Sequence, residues 1–434
     1  MNRSALTISL SAALLGGCGA SQAPIGASGV TPPTSAIASA PNAASPFSTS
    51  FRQLFRFRRP NGSHPAARLL DVNGTLYGTT FDGGSSRKGT IYRVSTRGAE
   101  SVLHSFRGGL DGAYPSAGLI DVKGTLYGTT SQGGGSGCPY GVGCGTVYSV
   151  STSGAEKVLY AFKNGDDGAS PLADLTDLSG TLYGTTSQGG RSACIMHVTG
   201  CGTVFKVTTS GKETVLHNFL NGSDGAFPLG DLIEVEGVLY GTTASGGSGY
   251  DTGTVFSITL AGMEKVLYAF QWDVGGRYPG SGLVDVDGML YGTTSGGGLG
   301  YPGCSFGAQE CGTVFRISTK GGEKVIYSFA GGSDGAIPRA ALIELHGVLY
   351  GTTEAGGGGS SCFVYDGTCG TVYSVTTGGV ETVLYRFLGG THGFGPVARL
   401  TSVNDTLYGT TYSGGVDDRC CHVYGLGTVF KLSP

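Results

Sequence analysis

Short runs of hydrophobic residues, alternating or continuous, recur along the chain in a fixed order and predict β-strands. In one stretch, Gly118–Val122 is largely apolar, Gly145–Thr152 is rich in β-branched and aromatic residues, and Glu156–Phe162 has the same character. Lys-Gly and Ser-Gly turns separate these runs. Runs of this length and composition, joined by tight glycine turns, are typical of antiparallel hairpins.

The pentapeptide LYGTT marks a tandem repeat. Around each copy stand an apolar run ending in glycine, a Gly-Gly pair, a variable loop, GTV followed by Tyr or Phe, and VLYxF; a DGAxP loop usually precedes the next unit. Four short antiparallel strands per unit and seven units predict an all-β, seven-bladed β-propeller of four-stranded blades. A single four-stranded sheet is only marginally stable. The sequence motif repeats because every blade must pack against its neighbours in the same way. LYGTT begins at Leu76, Leu126, Leu182, Leu239, Leu290, Leu349 and Leu407.

The two ends of the repeat region predict closure of the ring. The region opens with Phe51–Phe57, which aligns with the VLYxF strand although no unit precedes it. It ends with Gly427–Pro434, one strand short of a full unit. The first strand is therefore expected to complete the last blade and remove an exposed sheet edge. This places the propeller domain at residues 51–434.

Composition narrows the class of protein. Glycine makes up 82 of 434 residues and charged residues 13%, about half the usual charged share, which suits an all-β chain with many turns. The net charge of −3 gives no reason to expect a nucleic-acid partner. The expected state is a monomer.

The N-terminus has the features of a targeting segment. Arg3 precedes the apolar stretch Ala5–Leu15, which is too short to span a bilayer as a helix. It runs into Leu15-Gly16-Gly17-Cys18, which resembles the lipobox of bacterial lipoproteins. The resemblance implies a signal peptide at residues 1–17, lipidation of Cys18 and attachment to the outer membrane or cell surface. The alternative is an ordinary secretory signal with a chance cysteine. Residues 18–50, rich in Ser, Ala and Pro, then form a flexible tether.

Cysteines bracket four of the loops between second and third strands. These loops vary in length and share one face with the DGAxP loops, whereas the other turns are short and uniform, so binding is expected on the variable face. The bracketing predicts local disulfides in an oxidising compartment. A zinc site is the alternative, but His197 is the only histidine inside a bracketed loop. The state of Cys420 and Cys421 stays open. The predicted pairs are Cys138/Cys144, Cys194/Cys201, Cys304/Cys311 and Cys362/Cys369.

Aromatic residues in the variable loops are the candidate ligand contacts. A ring of them around a propeller mouth can stack on sugar rings or anchor a protein partner; the alternative is that they pack against their own loops. The candidates are Tyr140, Tyr250, Tyr301, Phe306, Phe363, Tyr365 and Tyr424.

The sequence contains no recognisable set of catalytic residues, and no cofactor is predicted. His104 and His217 occupy the tyrosine slot of VLYxF and are expected to be strand residues. The aspartates that open the DGAxP loops, among them Asp111, faintly resemble calcium ligands, but a turn role is favoured. The remaining acids outside the repeat register are expected to be solvated loop residues, with paired catalysis across blades as the alternative. They are Glu310, Glu354, Asp417 and Asp418.

The phrases LYGTT, Gly-Gly, GTVF and VLYxF resemble the bacterial GloVer tandem repeat, a choice-of-anchor family of secreted or surface-anchored proteins. The resemblance covers residues 51–434 and implies propeller-like repeats at the cell envelope. It implies no catalytic residues. The predicted function is a lipid-anchored binding scaffold for a glycan or protein partner. The alternatives are a carbohydrate-active enzyme, a lyase or glycosidase, and a structural envelope protein.

Overall fold

The described residues form seven four-stranded antiparallel sheets, as expected for a seven-bladed β-propeller. The computed structural model describes residues 50–138, 141–191, 194, 200–247, 251–271, 275–299, 311–358, 369–415 and 425–434. The described residues from 50 to 434 belong to one compact unit. The described residues include no helix with the length and hydropathy that crossing a bilayer requires.

In the first six blades the strands run in chain order from a short inner strand to an outer strand, and the seventh blade takes its outer strand from the N-terminal β1. The first strands are β2 Leu70–Val72, β6 Ile120–Val122, β10 Thr176–Leu178, β14 Ile233–Val235, β18 Val284–Val286, β22 Ile343–Leu345 and β26 Thr401–Val403. The second strands, which contain LYGTT, are β3 Thr75–Thr80, β7 Thr125–Thr130, β11 Thr181–Thr186, β15 Val238–Thr243, β19 Met289–Thr294, β23 Val348–Thr353 and β27 Thr406–Thr411.

The outer half of each blade contains the GTV and VLYxF phrases. The third strands are β4 Thr90–Ser95, β8 Thr146–Ser151, β12 Thr203–Thr208, β16 Thr254–Thr259, β20 Thr313–Ser318, β24 Thr371–Thr376 and β28 Thr428–Ser433. The fourth strands are β5 Glu100–Ser105, β9 Glu156–Ala161, β13 Glu213–Asn218, β17 Glu264–Ala269, β21 Gly321–Ser328, β25 Glu381–Arg386 and, for the seventh blade, β1 Ser50–Arg56. Two short 3₁₀ turns lie at Gly109–Asp111 and Gly390–His392.

The N-terminal strand closes the ring, which confirms the prediction from the chain ends. β1 pairs antiparallel with β28, so the last blade has the strand order β1-β28-β27-β26. Phe51 on β1 stacks on Tyr385 of the sixth blade with ring centroids 3.9 Å apart. Phe51 also packs on Phe430 of β28, with centroids 5.7 Å apart, so a backbone ladder and aromatic packing both hold the first described segment to the last.

The five residues of the LYGTT motif have different packing roles, as the first blade shows. Leu76 and Tyr77 are buried. A Cβ on Gly78 would lie 2.6 Å from the Tyr92 hydroxyl, so only glycine leaves room for the aromatic ring of the neighbouring strand. The hydroxyls of Thr79 and Thr80 then bond in different directions.

Those two threonine hydroxyls link the blade to its surroundings. Thr79 donates to the backbone carbonyl of Ala117 in the second blade at 2.8 Å. Thr80 bonds the hydroxyl of Thr90, the first residue of β4, also at 2.8 Å. The Thr80–Thr90 type of bond recurs in all seven blades. The repeat therefore specifies the blade interior and part of the contact between blades.

Junctions between adjacent blades contain a recurring group of polar side chains, here called the outer latch. It consists of the Tyr or His of one fourth strand, the Asp of the following DGAxP loop, and the Glu that opens the next fourth strand. At the junction of blades 2 and 3, the Tyr160 hydroxyl donates to Asp167 at 2.8 Å. Asp167 also accepts from the backbone N–H groups of Lys163 and Gly165, which confirms the turn role predicted for it.

Burial in the outer latch favours protonated glutamic acids. Removal from water, reinforced by the nearby Asp167, raises the pKa of Glu213 from 4.5 to about 7. The same two causes act on Glu156 and Glu381, with Asp111 and Asp334 as the neighbouring acids. Because the folded pKa lies above the unfolded one, this stabilisation is complete below pH 4.5 and is lost as the pH rises through about 7.

We predict that Glu213→Gln flattens the dependence of stability on pH. Glutamine mimics the protonated carboxyl, so the variant should lose less free energy of unfolding than wild type between pH 5.5 and pH 8.5. Urea denaturation at both pH values measures this, with exposed Glu236→Gln as the matched control. Parallel pH profiles for wild type and Glu213→Gln would contradict the prediction.

Candidate functional site

The lead-in segments, which join each fourth strand to the next first strand, form a ring at the base of the variable loops. In the second blade, Tyr114 donates its N–H to the carbonyl of Lys88 in the first blade and accepts from the N–H of Ser131. The lead-in also bridges the residues after LYGTT, as in the pair Ala113 and Gln132. The variable loops and the lead-ins therefore share one face, which we call the loop face.

The residue before the lead-in proline adopts left-handed backbone geometry in every blade. The φ angle is 57° at Tyr114 and 59° at Ile337, where a β-branched residue makes it a genuine outlier. Only Gly395, at 63°, takes this geometry without steric cost. Because the geometry recurs around the ring, it is part of the architecture and does not mark one blade as functional.

Side chains at the loop-face ring differ from blade to blade although the backbone is the same. The two positions concerned are the residue before the lead-in proline and the residue after LYGTT. In blade order the pairs are His64/Phe81, Tyr114/Ser131, Ser170/Ser187, Phe227/Ala244, Tyr278/Ser295, Ile337/Glu354 and Gly395/Tyr412. Packing of the blades does not determine the residue type at these two positions. The ring is therefore where the blades differ in the functional groups that they present.

One sector of this ring holds paired aromatic rings. Phe81 and Tyr114 lie with centroids 5.0 Å apart, and His64 and Tyr412 lie 4.7 Å apart. The ammonium group of Lys88 donates to the Tyr114 hydroxyl at 2.7 Å and lies 4.6 Å from the centre of its ring. All five side chains are partly exposed, so they are accessible from solvent.

Carboxylates lie among these aromatic rings. Asp82 is 4.0 Å from Nδ1 of His64. Glu354 lies 2.5 Å from Nε of Arg339, and the side chain of Glu354 is only 16% exposed. Burial raises the pKa of Glu354 against the opposing effect of Arg339. Burial also raises the pKa of Tyr412, with Asp82 and Glu354 adding to the effect, so both acids act on the same hydroxyl.

We call this group the mouth cluster. It spans blades 6, 7, 1 and 2 and consists of His64, Phe81, Asp82, Lys88, Tyr114, Arg339, Glu354 and Tyr412. The expectation that Glu354 is a solvated loop acid was wrong. It follows β23 directly and is enclosed beside Arg339, because its backbone N–H bonds to the Ile337 carbonyl and draws it into the ring.

Below the mouth cluster, four charged side chains cross the central channel; we call them the lumen cluster. Arg68 of the first blade pairs with Asp174 of the third. Arg399 of the seventh blade lies 3.4 Å from Asp231 of the fourth. All four occupy the same repeat position, four residues after the left-handed residue of the lead-in. Two arginines balance two aspartates, so the cluster bridges the channel without net charge.

Small residues at the same repeat position make room for the lumen cluster. A Cβ on Gly282 would lie 1.7 Å from Oδ1 of Asp231. The N–H of Gly118 donates to Asp174 at 2.5 Å. Burial and the nearby Asp174 raise the pKa of Asp231, while Arg399 and Arg68 oppose the shift. The cluster therefore depends on both the charged and the small members of the ring.

Disulfides tie the variable loops to this ring. Cys138 pairs with Cys144 and Cys194 with Cys201, and Cys311 is also disulfide-bonded, as is Cys369; the prediction of disulfide bonds is confirmed. The predicted partners of the last two lie outside the described residues. The carbonyl of Cys144 accepts the N–H of Ser170 in the next lead-in. In the first blade Lys88 occupies this position: its carbonyl accepts the N–H of Tyr114 in the same way, and its side chain contacts the Tyr114 ring.

Several predicted residues lie outside the described part of the chain. These are Cys18, His197, Glu310, Asp417, Asp418, Cys420, Cys421 and all seven candidate aromatics, namely Tyr140, Tyr250, Tyr301, Phe306, Phe363, Tyr365 and Tyr424. Sequence reasoning also overlooked the mouth and lumen clusters. Two sequence features could have revealed these clusters. The residue before the lead-in proline and the residue after LYGTT vary from blade to blade, and charged residues occur at one position just before some of the first strands.

Comparison with known proteins identifies the repeat. A family model described as the Gloeobacter/Verrucomicrobia repeat matches residues 43–142, 139–365 and 305–434, which confirms the resemblance to the GloVer repeat. No curated protein sequence matches the chain.

Solved structures resemble the chain at low identity. A gluconolactonase from Xanthomonas campestris is 10% identical, with 66% of this chain and 78% of that one covered and a TM-score of 0.38. A PQQ-bound aldose sugar dehydrogenase from Streptomyces coelicolor is 13% identical, with 90% and 99% covered and a TM-score of 0.41. A puromycin hydrolase is 12% identical, with 82% and 51% covered and a TM-score of 0.49.

Proposed function

Because the chain belongs to the Gloeobacter/Verrucomicrobia repeat family and its repeats leave one mouth of the propeller chemically distinct, we propose that it is a binding scaffold for a glycan. The observation that carries the proposal is the mouth cluster, where aromatic pairs and charged pairs replace the small or apolar residues found at several equivalent positions. Packing of the blades does not require any of these side chains.

The chemistry of the mouth cluster fits a sugar. The rings of Phe81, Tyr114 and Tyr412 offer flat apolar surfaces to the C–H face of a pyranose. Glu354 and Asp82 supply hydrogen-bond acceptors for hydroxyls, and Lys88 supplies a donor. A site with apolar walls and a few oriented polar groups is the usual form of a small-ligand site. The lumen cluster forms the floor, so the ligand rests on the loop face.

We predict that Tyr114→Ala weakens glycan binding by about tenfold, the equivalent of ~1.4 kcal/mol. Tyr278→Ala is the matched control, since Tyr278 has the same repeat position and left-handed geometry but lies in the fifth blade. Full-length protein with Cys18→Ser would be titrated against a panel of soluble polysaccharides and oligosaccharides by calorimetry. Equal effects of the two substitutions, or no binding to any glycan, would refute the proposal and leave a protein partner as the alternative.

Glu354 gives a specific reason to keep an enzyme as the second candidate. A carboxyl whose pKa is raised by burial and that lies among aromatic rings is suited to donate a proton to a glycosidic oxygen. In the same polysaccharide panel, mass spectrometry would detect new low-mass products. Turnover that disappears in Glu354→Gln while binding persists would establish the enzyme; binding without product would leave the scaffold.

We also propose that the protein is anchored in the cell envelope through lipidated Cys18, with residues 18–50 as a tether. The support is the lipobox-like sequence Leu15-Gly16-Gly17-Cys18 and the glycine at position 19. Wild type should incorporate labelled fatty acid and fractionate with membranes, whereas Cys18→Ser should do neither. A wild-type protein without lipid label would overturn the anchor.

A further inference from the structure

The outer latch between blades 1 and 2 differs from the tyrosine latches in its chemistry. His104 lies on β5, Asp111 ends the 3₁₀ turn that follows, and Glu156 opens β9. Nε2 of His104 is 3.1 Å from Oδ1 of Asp111. One ligand atom from each of the three residues lies within 4.8 Å of the other two. An imidazole and two carboxyl groups thus converge on one point between the blades, and a bound metal would release to solvent the proton that burial favours on Glu156.

Other junctions show that the fold does not need a histidine here. At the junction of blades 2 and 3 the slot holds Tyr160, and at the junction of blades 5 and 6 it holds Tyr327. Each tyrosine hydroxyl donates to the latch aspartate, at 2.8 and 2.7 Å. A protonated phenol completes the latch through one hydrogen bond and is a poor metal ligand. Histidine in the same slot keeps the packing and adds a nitrogen donor.

The surroundings of the three side chains suit a cation. Asp111 accepts the backbone N–H of Arg107 through its other oxygen at 2.6 Å, and the side chain of Arg107 is exposed. Oε1 of Glu156 is buried and receives no hydrogen bond from a described N–H group, and the neighbour of this carboxyl is the side chain of Asp111. The side chains of His104 and Asp111 are 16% and 20% exposed, so water can reach the remaining coordination positions.

We propose that His104, Asp111 and Glu156 bind one divalent metal ion of the zinc type, which joins blades 1 and 2. Nitrogen and carboxylate ligands bind zinc at ~2.0–2.2 Å, so side-chain adjustment within the latch brings all three donors into range. The imidazole favours a transition metal over calcium, which takes six to eight oxygen ligands. One or more waters complete the coordination.

A second histidine latch supplies an internal control. His217 lies 3.3 Å from Asp224 at the junction of blades 3 and 4, with Glu264 as the third member. Asp224 also accepts the backbone N–H groups of Leu220 and Gly222. Within the described part of the chain, three ligand atoms meet inside 4.8 Å only at the His104 latch. The proposal therefore assigns the metal to His104 and not to His217.

The test compares two matched substitutions in the full-length Cys18→Ser protein. His104→Tyr and His217→Tyr each install the tyrosine that other latches already contain, so both variants should fold, as circular dichroism will check. Protein stripped with a chelator would be titrated with Zn²⁺ by calorimetry, with and without excess Ca²⁺. Thermal unfolding with and without Zn²⁺ gives a second readout.

The expected result is that wild type and His217→Tyr bind one more equivalent of Zn²⁺ than His104→Tyr. Zn²⁺ should raise the midpoint of thermal unfolding in the first two proteins and leave it unchanged in the third, and excess Ca²⁺ should not compete. Equal stoichiometry in all three proteins, loss of the equivalent in His217→Tyr, or displacement by Ca²⁺ would each overturn the proposal.

Discussion

The fold depends on one contact that every blade makes with the next: the phenylalanine after each fourth strand packs edge-to-face on the aromatic residue of the following third strand. Seven such contacts occur, with centroids 4.9 to 5.3 Å apart. Phe57, which follows β1, makes the one that joins the seventh blade to the first. Contacts of this kind add to the burial of large aromatic side chains. Glycine in LYGTT is required because its missing Cβ leaves space for the aromatic ring that takes part in this contact.

This constraint separates positions that serve packing from positions that are free to vary. Leu76, Gly78 and Thr80 have counterparts of the same type in all seven blades. The side chains at the loop-face ring and in the channel differ between blades. Where the residue after LYGTT is serine, its hydroxyl donates to the carbonyl of the left-handed lead-in residue, as in Ser131, Ser187 and Ser295. The mouth cluster and the lumen cluster consist of residues at such variable positions, whereas the histidine latch departs from the tyrosine latches in having His104 where they have tyrosine. The scaffold is thus regular, and its candidate chemistry lies where one blade departs from the others.

The architecture was predictable because each blade repeats the same local pattern and the chain ends are offset by one strand. The ends of the strands were less predictable than the architecture. The first strand of the second blade begins at Ile120 and not at Gly118, because the N–H of Gly118 donates to Asp174 across the channel. The candidate sites were not predictable from local pattern. Asp231 and Arg399 lie 168 residues apart in sequence, and Glu354 was assigned to solvent because its partner Arg339 precedes it by a whole hairpin. The loop aromatics stay predictions.

Hydrogen exchange followed by mass spectrometry tests the central claim that the blades form one closed ring. Amides of β1 and β28 should exchange with the same free energy of opening as those of β13, since strands of one cooperative unit open together. Phe57→Ala should lower protection in β13 as well as at the closure, because it breaks the ring. Rapid, independent exchange of β1 with full protection of β13, in wild type or in the variant, would contradict closure as the source of stability.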